Sequence, residues 1–225
     1  MSTTVTGEAI LPFYIMCDES GSMDANGGID AINQGLPELH ATICADPLVT
    51  DKCRIGLITF SDYAEELLPL SKMSDVTAMP GCTAKGLTNY GEAFNLLRSA
   101  ISRDIADLKS QGYQVYRPAV FFITDGEPTD EWEMDYRALV DKNANRQAPN
   151  VIAFGVGGSD PHTIGRVGTV GAFVMRNGHS PGNALKEIMR SLTNSIVSSS
   201  GQANPTLVVP DAPDGCVSVP LDPMI

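Results

Sequence analysis

In the stretch Phe13-Tyr14-Ile15-Met16-Cys17-Asp18-Glu19-Ser20-Gly21-Ser22-Met23 an apolar run stops at a carboxylate, and hydroxyls follow two and four positions later. In near-extended backbone, residues i, i+2 and i+4 project to one side, so Asp18, Ser20 and Ser22 can converge on one point. Two further oxygen donors occupy comparable places. Thr88 opens a helix-like segment, Thr88-Asn89-Tyr90-Gly91-Glu92, and Asp125 follows the apolar run Ala119-Val120-Phe121-Phe122-Ile123-Thr124. An oxygen-only donor set without His or Cys suits a hard cation such as Mg²⁺. Taken alone, Asp18, Ser20 and Ser22 could equally cap the helix that follows them. Thr88 and Asp125 tip the reading towards a metal site.

The elements around these residues alternate. Strand-like apolar runs at Leu11–Cys17, Arg54–Phe60, Ala64–Leu70, Ala119–Thr124, Val151–Val156 and Ala172–Met175 are separated by helical periodicity, the pattern of an α/β layer fold with a parallel sheet. Ile29, Ile32, Leu36, Leu39 and Ile43 form one helical stripe, which Pro37 is expected to kink or interrupt. Phe94, Leu97, Ile101, Ile105 and Leu108 form a second. A third, Leu185, Ile188, Met189, Leu192 and Ile196, is expected to start from an N-cap at Asn183. The short Ser61-Asp62 turn suits a hairpin with an antiparallel edge strand. Residues 1–200 read as one domain. The Pro-rich tail 201–225, with five of the 15 prolines, reads as extended or packed on the domain.

The set Asp18-x-Ser20-x-Ser22, then Thr88, then Asp125 in Thr124-Asp125-Gly126 resembles the metal-ion-dependent adhesion site of von Willebrand factor A domains. The resemblance spans roughly residues 10–200. It implies a Rossmann-like, doubly wound, mostly parallel sheet with one antiparallel edge strand and helices on both faces. It also implies that Ser20, Ser22 and Thr88 can touch the metal, while Asp18 and Asp125 often act through bound water. Mg²⁺ is the expected ion, with Mn²⁺ or Ca²⁺ as alternatives, and a partner protein supplies an Asp or Glu to complete its shell. Glu19 and Met23, beside the ion but outside the donor set, are expected to tune partner choice, and Gly21 and Gly126 to let the backbone turn tightly. Glu127, Thr129 and Asp130 are expected in a solvated loop capping a helix at Glu131.

Three segments look like those of bacterial intracellular members associated with tellurite or stress resistance. They are Gly86-Leu87-Thr88-Asn89-Tyr90-Gly91, Tyr116-Arg117-Pro118-Ala119-Val120-Phe121-Phe122 and Thr124-Asp125-Gly126-Glu127-Pro128-Thr129-Asp130. Some of those members carry a Cys-rich zinc segment after the domain, which residues beyond 200 do not supply.

Composition sets outer bounds. A chain of 225 residues with 43% hydrophobic content can bury one sizeable core. A formal charge of −12 argues against nucleic acid or an anionic membrane as partner. The five cysteines form no C-x-x-C pair, and neither a signal peptide nor an apolar run long enough to span a membrane is apparent, so a reducing, cytoplasmic setting is expected. Cys82 is the thiol that would merit a reactivity test.

An enzyme is the rival class. A strand-terminal Asp18 resembles the nucleophile of haloacid-dehalogenase-type phosphatases, but the second position after it, their general acid, is Ser20, which cannot do acid–base work near neutral pH. A metal-dependent phosphatase or hydrolase is therefore the alternative to a non-enzymatic interaction module. Gly155-Val156-Gly157-Gly158-Ser159 lacks the full G-x-G-x-x-G spacing of a dinucleotide loop. His40, His162 and His179 are scattered.

Overall fold

A computed structural model describes residues 7–25, 27–202 and 204–222. Its centre is an eight-stranded sheet whose main path runs β3-β2-β1-β5-β6-β7-β8. The strands are β1 (Ala9–Asp18), β2 (Cys53–Phe60), β3 (Ala64–Ser71), β4 (Gln114–Val115), β5 (Ala119–Thr124), β6 (Asn150–Gly155), β7 (Gly171–Met175) and β8 (Cys216–Ser218). β2, β1, β5, β6 and β7 are mutually parallel, and β4 adds a two-residue parallel pairing to the start of β1. β3 returns antiparallel to β2. The mostly parallel, Rossmann-like α/β sheet expected from the sequence is present.

Two helical layers cover it because the parallel strands are apolar on both faces. In β1, Leu11, Phe13, Ile15 and Cys17 face one core with α2 (Gly28–Cys44), α3 (Pro47–Lys52) and α7 (Pro181–Ser200). Tyr14 and Met16 face the other, with α4 (Tyr90–Ser110), α5 (Glu133–Val140) and α6 (Pro161–Val167). Every residue of the three expected helical stripes is buried. The second core carries an aromatic cluster in which Tyr90, Phe94, Trp132 and Tyr136 pack edge-on or tilted on one another and on Phe122.

Several expectations change. α2 is not interrupted at Pro37, which lies on its exposed side, while Leu36 and Leu39 hold the buried face. α7 begins two residues before Asn183, with Ser180 at the N-cap and Pro181 in the first turn, where a missing N–H costs nothing. The tail packs on the domain and enters the sheet: Leu207 joins the first core, and β8 pairs antiparallel with β7. The sheet thus has a second antiparallel edge, made by three residues too few to show an alternating pattern. Cys17, Cys53, Cys82 and Cys216 are buried free thiols and only Cys44 is exposed, so Cys82 is shielded from solvent reagents. Among the described residues no helix is long and apolar enough to cross a membrane.

Candidate metal centre

β1 and β5 are neighbours, and from them the chain winds in opposite directions, to β2 on one side and β6 on the other. Open α/β sheets bind ligands at such a reversal, beyond the carboxyl ends of the strands. Asp18 is the last residue of β1, and Asp125 follows the last residue of β5.

Asp18 is fully buried and both its carboxylate oxygens are engaged. Oδ1 accepts from the Ser20 amide at 2.7 Å, and Oδ2 accepts from Thr124 Oγ1 at 2.6 Å. The Ser20 and Ser22 hydroxyls are 3.2 Å apart, and Ser22 Oγ donates to Asp125 Oδ1 at 2.6 Å. A hydroxyl that donates its hydrogen to a carboxylate keeps its oxygen lone pairs free to face a cation or another donor. Thr88 arrives from the loop before α4. A Cβ on Gly126 would sit 3.2 Å from Thr88 Oγ1, so this glycine permits the approach of Thr88 to the Asp125 turn. All five expected donors therefore meet, with Ser20, Thr88 and Asp125 nearly buried and Ser22 exposed. Burial pushes the Asp18 carboxyl up to about 6, against the opposing hydrogen bonds from Thr124 and Ser20, and the Asp125 charge adds to the rise.

Backbone bonds hold the loops in place. The Gly21 amide donates to Gly86 O, the Lys85 amide to Glu19 O, and the Asn89 amide to Ser61 O. The glycine that needs its freedom is Gly86, at φ 64 with the Asp62 carboxylate 2.5 Å from where a Cβ would stand. Gly21, by contrast, has ordinary space.

Neither Glu19 nor Met23 faces outward. Glu19 is buried, with Lys85 Nζ at 2.8 Å, and Met23 is part of the first core. Their expected role in partner choice is therefore corrected. The loop after Asp125 also differs from expectation. Asp130 caps α4, not α5, by accepting from the Tyr90 and Gly91 amides at 2.9 and 2.7 Å. Thr129 binds the Thr88 carbonyl through both its amide and its hydroxyl, and Glu127 accepts from the Asp160 amide and from Thr163 Oγ1. These three residues fasten the site from behind. Replacing Asp130 by Ala removes both cap bonds and should cost about 1–2 kcal/mol in urea denaturation; an unchanged midpoint would show that the loop holds without it.

Sequence reasoning missed Thr124 and Tyr90. Thr124 binds Asp18, and the Tyr90 hydroxyl donates to Gly126 O at 3.0 Å beneath the turn. A hydroxyl at the last position of an otherwise apolar strand was the available signal for Thr124.

The donor set fits a hard divalent cation: three hydroxyls and two carboxylates, all oxygen, beyond the carboxyl ends of the central strands β1 and β5. Among the described residues no group of three or more His, Cys, Asp or Glu side chains is placed to hold a metal.

A family model described as von Willebrand factor type A domain matches residues 13–127. A von Willebrand factor type A protein from Catenulispora acidiphila superposes with a TM-score of 0.59 at 17% identity, covering 84% of this chain and 43% of that one. Proximal thread matrix protein 1 from the mussel byssus, in a form with a zinc-occupied MIDAS motif, gives 0.56 at 16% identity, covering 85% and 48%. The pilus adhesin SpaC from Lactobacillus rhamnosus GG, in its open conformation, gives 0.61 at 13% identity, covering 85% and 30%. The chain thus spans less than half the length of each of these proteins. No curated protein matches it.

Proposed function

The chain belongs to the von Willebrand factor type A family, and from that premise we propose that it is a non-enzymatic protein-interaction module working through a divalent cation. Asp18, Ser20, Ser22, Thr88 and Asp125 hold the ion, and an Asp or Glu of a partner protein completes its shell. The observation that carries this reading is the convergence of those residues on the β1/β5 reversal, where Asp18, Ser20, Ser22 and Asp125 are linked by hydrogen bonds, Thr88 stands against the Gly126 turn, and the Ser22 side is left exposed. A bound Mg²⁺ or Mn²⁺ supplies an incompletely neutralised charge with room for an anionic oxygen ligand. The family likeness to a protein with a zinc-occupied motif supports metal binding, while the oxygen-only donors favour a hard ion.

The burial of Asp18 speaks against a phosphatase. A nucleophile with no solvent exposure and both oxygens engaged cannot reach a phosphorus atom, and Ser20 stands where the general acid would be. The resemblance of segments 86–91, 116–122 and 124–130 to bacterial tellurite- and stress-resistance members supports an intracellular setting.

Calorimetric titration with Mg²⁺ or Mn²⁺ should give weak binding, because one ligand belongs to the partner. At a tenfold excess over Kd the melt should gain only about 1.4 kcal/mol. A folded protein that binds neither ion at millimolar concentration ends the proposal. Affinity capture with and without chelator then identifies proteins held only in the presence of metal, and turnover of a phosphate ester that vanishes in Asp18→Asn would replace this function with hydrolysis.

A further inference from the structure

With Glu19 and Met23 buried, other side chains must read the partner around the ion. Two large apolar residues stand exposed on the loops that frame the centre: Tyr63 is 78% exposed and Leu87, next to Thr88, is 62% exposed. Their loops are fastened together, since Asp62 Oδ1 accepts from the Leu87 amide at 3.0 Å and the Asn89 amide donates to Ser61 O at 2.8 Å. Beside them lies a cleft of about 330 Å³ lined by Ser61, Asp62, Tyr63, Ala64, Glu65 and Lys85. Single exposed apolar side chains are common, but two large ones on loops fastened together beside the candidate centre, with a cleft adjoining them, offer apolar surface suited to contact. Fixed loops also lower the ordering cost of binding.

The charges nearby narrow the occupant. Asp24, Asp62, Glu65 and Glu127 are exposed on a chain carrying −12, and the cation among them, Lys85, is already shared between Glu19 and Glu65 at 2.8 and 3.5 Å. They repel any acid that the ion does not neutralise, and like charges brought together at an interface select strongly against a partner. A run of acidic residues is therefore disfavoured, and one carboxylate amid apolar neighbours is favoured.

We propose that Tyr63, Leu87 and the adjoining cleft accept a hydrophobic side chain next to, or one residue removed from, the carboxylate that a partner protein gives to the metal. The recognised element is then a lone Asp or Glu flanked by apolar residues. This inference rests on the metal-dependent reading above.

The test is selection from a phage-displayed random peptide library on the intact domain, in millimolar Mg²⁺ and in chelator, followed by binding of the selected synthetic peptides to the Tyr63→Ser/Leu87→Ser variant. The expected peptides need metal and carry a single Asp or Glu with an apolar neighbour. They should bind the double variant about tenfold or more weakly, the loss of one well-buried apolar contact. The Mg²⁺ affinity and melt of that variant should be unchanged. Metal-dependent peptides with carboxylates in acidic runs or without apolar neighbours, or equal binding to the variant, overturn the apolar shelf and leave the metal module standing. Selection that yields no metal-dependent, carboxylate-bearing peptide overturns both.

Discussion

Asp125→Ala should weaken divalent-cation binding by about 10–100-fold or more and abolish metal-dependent partner capture, while the domain still melts cooperatively. Asp125 Oδ1 receives the proton of Ser22 Oγ at 2.6 Å, and that bond orients the exposed hydroxyl of the donor set. Removing a carboxylate that fixes a ligand in this way typically costs metal affinity on that scale. The substitution also subtracts one negative charge from a nearly buried position, which weakens attraction for any cation. The fold does not depend on it: the strands are held by two apolar cores, and Asp125 follows β5 and is not part of it. Calorimetry with Mn²⁺, run beside a thermal melt, separates the two effects. Loss of the cooperative melt would instead make Asp125 a structural cap.

Much of this arrangement is legible in the chain because the signals are local. A run of apolar residues ending in Asp-x-Ser-x-Ser, and another ending in Thr-Asp-Gly, announce two buried strands with polar termini. The parallel sheet makes those termini neighbours. The helical stripes were legible for the same reason, since burial follows a 3.6-residue period that one segment displays alone.

What the sequence did not disclose depends on contacts between distant segments. Asp130 reads as a cap for the helix just after it, yet α4 begins forty residues earlier and presents its free amides to the same carboxylate. Glu19 reads as an exposed acid beside the metal, but Lys85 and the Thr83 amide, from a loop more than sixty residues on, draw it inward. β8 gives no periodic signal in three residues and exists because the edge of β7 offers it hydrogen-bonding partners. Pro37 was misjudged for a different reason. Proline disfavours a helix interior, but the packed Ile32, Leu36 and Leu39 outweigh one lost hydrogen bond on the solvent side.

The second large effect concerns Asp18, where metal binding and stability should move in opposite directions. Asp18→Asn should abolish cation binding yet raise the melting temperature of the metal-free domain. The buried carboxyl is pushed up to about 6 from its ordinary 3.8, chiefly by burial, so the folded state holds its proton more tightly than the unfolded chain does. The sign follows directly: at pH below about 4 the group is neutral in both states and costs nothing. As pH rises from about 4 to about 6 the unfolded chain ionises freely while the folded protein resists a buried charge near Asp125, and the metal-free domain loses up to about 3 kcal/mol, a loss complete above about 6. Asparagine keeps the geometry without the charge. Its Oδ1 can accept from the Ser20 amide and its Nδ2 can donate to Thr124 Oγ1, whose proton turns to Gly126 O, 3.3 Å away. The wild-type metal-free domain should therefore become more stable as pH falls from about 6 to about 4, the variant should lose most of that dependence, and wild-type Mg²⁺ affinity should fall as pH drops through about 6 and protons compete for the site. Melts at several pH values, with chelator and with Mg²⁺, read all three. A variant less stable than wild type at pH 7 would mean that the carboxylate is held for its hydrogen bonds, and that the centre is not poised to receive a cation.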